Sequence, residues 1–182
     1  MESPGHIHPH PTRENRFLAQ DVLLVLREQR WLSGDPTDEV LAFSERAAAL
    51  LGPHVSDRAG LASLLHLVFF YDASQVLASR EAHAVLARYG ARNVLRELAL
   101  FLLDPIPFDS DRFKEVVAHL KKTLELRGRD LFHPIRLALA GRAGEGELDR
   151  VILLVDEAAA VSWEVSVKSV RDRMIEFCSV LD

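Results

Sequence analysis

Cysteine is nearly absent from this chain of 182 residues: Cys178 stands alone, so no internal disulfide can staple the fold, which agrees with a reducing compartment. Long apolar runs are lacking too. The richest stretch, Leu61 to Tyr71, is interrupted by Ser63 and His66 and stops at Asp72, short of the roughly 20 residues a membrane helix needs. Met1 to Pro11 has neither a basic start nor an apolar segment, so no signal peptide or membrane partner is expected and the cytoplasm is the default location. Positive charge is not in excess. The net charge of -5 argues against a protein living only by sequence-independent nucleic-acid binding, which needs clustered Lys and Arg to neutralise phosphates.

What is present is ordinary globular material, 48% hydrophobic and 27% charged, enough for one domain or two small helical subdomains sharing an interface. The charge is unevenly placed. From Asp109 to Arg142 there are eight basic residues against five acidic ones, whereas from Ala143 to Asp182 there are four against nine.

Helical periodicity dominates. Residues 1–12 hold three prolines and almost nothing apolar, and read as a mobile tail. Phe17, Leu18, Val22, Leu23, Val25 and Leu26 recur at three- and four-residue spacing, and Ser33-Gly34-Asp35-Pro36 stops that first helix. A second helix is expected from Pro36 or Thr37 to Gly52-Pro53, and a third, widely apolar one from Asp57. Gln75 to Arg88 and Ala91 to Leu103 read as two more. Asp104-Pro105-Ile106-Pro107 denies the chain a helical ladder and divides residues 13–104 from 105–182. Beyond it, Asp109 or Ser110 caps a helix ending at Gly128, Pro134 opens a short helix to Leu139, Glu147 to Val155 forms another, and Val167 to Leu181 a last one. Val161 to Val167 alternates as either a short strand or an extended connector.

The run Arg127-Gly128-Arg129-Asp130-Leu131-Phe132-His133-Pro134-Ile135-Arg136-Leu137-Ala138-Leu139-Ala140-Gly141 resembles a segment of glutamyl-tRNA synthetases, roughly G-(K/R)-x-L-(F/Y)-x-P-(V/I)-R-x-A-L-T-G. Gly144-Glu145-Gly146-Glu147-Leu148 is similar to the family's following G-P-x-L turn, and Arg58 to Leu61 before Leu67-Val68-Phe69-Phe70-Tyr71 to its R-x-x-T-L run, with Gly60 where a hydroxyl is usual. The resemblance implies an all-α fold, a two-part helical bundle or superhelical cage of the anticodon-binding type. It also implies tRNA as partner. Neither the H-I-G-H nor the K-M-S-K-S type signature of class I synthetases is present, since Gly5-His6-Ile7-His8 sits in the proline-broken tail. No catalytic residue and no cofactor is therefore expected.

Lys121, Lys122, Arg127, Arg129, Arg136 and Arg142 form the basic cluster and are the candidate RNA-binding residues, with Phe132 and His133 as the rings among them. A solvated helix face is the competing reading. Arg136 can pair with a carboxylate such as Asp130 or reach a phosphate. Glu145 and Glu147 oppose phosphate at close range, and the last third is acidic, so a helical protein-interaction module that lost RNA binding is the rival reading. A third is an accessory or split part of aminoacylation, partnered by a separate synthetase catalytic domain. His6, His8 and His10 alternate as metal-binding imidazoles can, but lack a fourth ligand, and no metal site is expected. Cys178 beside Phe177 reads as a small packed group rather than a nucleophile.

Overall fold

The computed structural model describes residues 14–182, and those residues form α-helices, one short 3-10 turn and no strand. The tail reading and the histidines at 6, 8 and 10 lie outside the described residues.

The first half runs α1 (Ala19–Glu28), α2 (Asp38–Leu51), α3 (Arg58–Phe69), α4 (Ala73–Ala78), α5 (Arg80–Leu86) and α6 (Ala91–Phe101). Short polar side chains set the starts. Thr37 Oγ1 accepts the Val40 amide, Asp57 the Gly60 amide and Asp72 those of Ser74 and Gln75, each satisfying a donor the helix cannot use itself. Ser79 does the same for Ala82 and thereby divides the expected 75–88 helix into α4 and α5, because a residue serving as cap takes extended backbone.

The second half runs α7 (Ser110–Leu124), α8 (Arg129–Ala140), α9 (Gly146–Ala159) and α10 (Val170–Leu181). Two expectations are corrected here. α7 ends at Leu124 with Glu125 in the left-handed region, and Gly128, at φ 55° and ψ −135°, instead opens α8. Pro134 is not at a helix start but inside α8, where it leaves the Asp130 carbonyl without its helical donor. The amides of Leu131 and Phe132 both bond to the Gly128 carbonyl, so the first turn closes before the proline is reached.

One apolar core runs through both halves. α3 lies on α9, α6 on α8, and α10 on α4 and α8, with Leu65, Leu98, Leu120, Ile135 and Leu154 fully enclosed. Polar side chains tie the elements across this core. The Asp156 carboxylate accepts the amides of Phe108 at 2.7 Å and Val170 at 2.8 Å, fastening the proline connector and the start of α10 to α9. Residues 161–169 are an extended connector, joined to the first half where the Glu164 amide meets the Trp31 carbonyl at 2.9 Å.

Arg173 is wholly enclosed, and no carboxylate of the described residues lies at ion-pair distance from it. Its guanidinium donates to the carbonyls of Leu139 and Val68 and lies over the Tyr71 ring, whose hydroxyl donates to Ala138. Those three carbonyls belong to the last turns of α3 and α8, where helical partners run out and a cation is favoured. Burial lowers the Arg173 pKa to about 10, so it remains charged at neutral pH.

Candidate nucleic-acid interface

The basic cluster is built at the corner between α7 and α8. Lys121 and Lys122 occupy the last turn of α7 and Arg127 and Arg129 flank Gly128, whereas Arg142 follows Gly141 at the opposite end of α8; all five side chains are exposed. Phe132 holds the corner together. Its ring lies under the Arg136 guanidinium of the same helix at 4.9 Å and beneath Lys121 Nζ of α7 at 5.8 Å, while both helices pack on α6.

Arg136 is placed differently from its five companions. It is 8% exposed and its fork closes on Asp149, with Nε at 2.8 Å and Nη2 at 2.9 Å from the two carboxylate oxygens, while Nη1 donates to the Gly144 carbonyl at 2.6 Å. Every nitrogen of the guanidinium is thus committed within the chain, so the structure does not bring Arg136 to the surface with the others. The carboxylate partner is Asp149 rather than Asp130, which bonds Arg88 at 2.9 Å instead. Arg136 serves as the pin that orders the Gly144–Leu148 turn against α8.

The acidic neighbours look different once they are placed. Asp149 is neutralised by Arg136, and Glu145 lies 3.9 Å from Arg129 across an exposed gap that stabilises little. The Glu147 carboxylate accepts the Glu145 amide at 3.4 Å. His133 sits half-buried behind this surface with Nε2 lacking a partner among the described residues. Burial, then the charges of Arg136, Arg88 and Arg129, depress its pKa and keep it neutral.

A feature not singled out from the sequence lies at the other end of α8. A groove of about 700 Å³ runs between the end of α3, α4 and α5, and the Gly141–Arg142 turn, lined by His66, Phe70, Gln75, Glu81 and Arg142 among others. Phe70 breaks the helix pattern. Phe69 and Tyr71 on either side of it are buried, yet Phe70 is 45% exposed and stacked on His66 with ring centroids 4.8 Å apart, above Trp31 at 5.6 Å. The sequence signal was available: three successive aromatics at a helix end cannot all face one core.

The described residues form helices without a strand, and the 127–141 segment supplies α8 with the glycines that bound it. The chain belongs to the anticodon binding domain family, whose model matches residues 20–157. It is similar to the glutamate–tRNA ligase of Exiguobacterium sibiricum, at 28% identity over 83% of this chain and 30% of that protein. The ligase of Carboxydothermus hydrogenoformans is 28% identical over 71% of the chain and 26% of its own length. A short stretch of 41 residues is 46% identical to glutamate–tRNA ligase 2 of Coxiella burnetii, covering 22% of this chain and 9% of that protein. The chain thus spans less than a third of the length of these curated relatives. Among solved structures, none matches significantly.

Proposed function

We propose that this chain binds tRNA through the exposed cations of the α7–α8 corner, Lys121, Lys122, Arg127 and Arg129, together with Arg142 at the far end of α8, with Arg136 as a positioning residue behind them. The observation that carries the reading is the corner itself: Lys121, Lys122, Arg127 and Arg129 stand exposed around the Gly128 turn, Arg142 adds an exposed cation at the far end of α8, and Asp149 is engaged by Arg136. Phosphates then supply most of the affinity. About three to five contacts to single-stranded RNA give a log-log salt slope of roughly -2 to -4.

Retardation of tRNA at low salt by micromolar protein tests this directly. The quadruple variant Lys121→Ala, Lys122→Ala, Arg129→Ala, Arg142→Ala should abolish the shift while keeping the helical circular-dichroism spectrum. A folded variant that binds as well as the wild type sinks the proposal. The named relatives are glutamate–tRNA ligases, which supports a role as accessory to, or split part of, tRNA glutamylation, with a separate synthetase catalytic domain as partner. Aminoacylation recovered only on adding the chain to such a catalytic region is the expected outcome; no gain on mixing refutes that role.

A further inference from the structure

We propose that the groove beside Arg142 takes one unpaired nucleobase of the bound RNA, stacked on Phe70, with its flanking phosphate on Arg142 and an exocyclic amino group donating to Glu81. This rests on the RNA-binding reading above and adds a site to it.

The groove has the size of a small-ligand cleft, and it offers the three things an unpaired nucleotide needs. The first is a flat π-surface. Phe70 is held against His66 at an interplanar angle of 19° and braced from below by Trp31, itself stacked on Phe69 at 4.5 Å, so the exposed ring is fixed before any ligand arrives. An ordered aromatic platform loses little freedom when a base stacks on it. The second is a cation. Arg142 is exposed, lines the groove and has no ion-pair partner among the described residues, at the end of α8 opposite the Gly128 turn. The third is an acceptor. Of the two carboxylates lining the groove, Asp72 is spent on capping α4, whereas Glu81 makes no ion pair among the described residues. An ionised carboxylate only accepts hydrogen bonds, so it favours the amino group of cytosine or adenine and opposes the carbonyl that uracil presents at the same edge.

Single-stranded oligocytidylate and oligouridylate labelled for fluorescence anisotropy, together with an oligocytidylate carrying one 2-aminopurine as a stacking reporter, test the assignment on the full chain. Wild type should bind oligocytidylate severalfold more tightly than oligouridylate and quench the 2-aminopurine. Phe70→Leu keeps the apolar surface but removes the ring; it should lose the quench and roughly tenfold in affinity, as the removal of one base stack does, with no change in salt slope. Phe70→Trp should restore both. Arg142→Ala should instead lower the slope by about 0.7, the signature of one lost phosphate contact on a single strand. Glu81→Gln should level the two oligonucleotides. Phe70→Leu binding and quenching like wild type, or equal affinity of wild type for the two oligonucleotides, overturns the groove assignment while leaving tRNA binding by the corner intact. Absence of RNA binding by the wild type overturns both.

Discussion

Arg136 shows how one side chain can carry a local structure. Its bidentate bond to Asp149 lies in a largely enclosed site, where removing one partner leaves the other charged and unpaired. Arg136→Met should cost about 3 kcal/mol, a fall in Tm on the order of 10 °C, and Asp149→Asn somewhat less. A double-mutant cycle on Tm measures the coupling; strictly additive losses would mean that the fork does not hold the turn. His133, on the same helix, gives a pH dependence of definite sign. Its folded pKa lies below the unfolded value of about 6.5, so the unfolded chain binds more protons in the interval between them. Its contribution is therefore constant above that interval and is lost as pH falls below about 6.5 toward the folded pKa. His133→Asn should flatten the decline in Tm on acidification from pH 7.5 to 5.5 relative to wild type. Superimposable Tm profiles for the two proteins would rule His133 out as the cause.

Among the elements, α10 closes the fold by supplying to α3 and α8 the donors their last turns lack. Arg173→Lys keeps the charge but cannot span both carbonyls from one planar fork, so it should destabilise nearly as much as Arg173→Met, each by roughly 3 kcal/mol or more. Chemical denaturation checks this; a lysine variant as stable as wild type would show that charge alone suffices at the helix ends. The helix starts were the legible part of this architecture, because a cap is written within four residues of the bond it makes: Thr37, Asp57 and Asp109 all stand where the sequence places a helix start. Ser79 follows the same rule, but it lies in an apolar-periodic run whose continuity masked it. Glycine ends helices more often than it begins them, so the sequence marks Gly128 as a stop, whereas its positive φ in fact turns the chain into α8. The Arg136–Asp149 and Arg173–Val68 bonds span 13 and 105 residues, and no local rule reaches that far. The candidate site divides in the same way: its exposed cations were visible as a cluster in the sequence, but the removal of Arg136 from that surface and the outward turn of Phe70 depend on how distant helices pack.

At the scale of the whole molecule, a chain of net charge -5 can approach RNA only through a favourable local field, so the arrangement of acids around the corner matters more than their number. Asp149 is already cancelled by Arg136, and the exposed Glu145 stands against Arg129 at 3.9 Å, holding back one of the five candidate phosphate contacts. Replacing Glu145 and Glu147 with Gln removes two negative charges at the corner and releases Arg129. Glu14→Gln with Glu39→Gln removes the same charge from the first half of the chain, at the entrances to α1 and α2. If the corner is the docking surface, the first pair should tighten tRNA binding severalfold at low salt and steepen the salt slope by up to about 0.7 as Arg129 gains a phosphate, while the second pair should change neither by a comparable amount. Both effects should fade as salt is raised toward physiological ionic strength, where the screening length falls to about 8 Å. Anisotropy titrations across salt concentration read affinity and slope together, and equal tightening by the two pairs would mean that the RNA responds to bulk charge and that no docking surface lies at the corner.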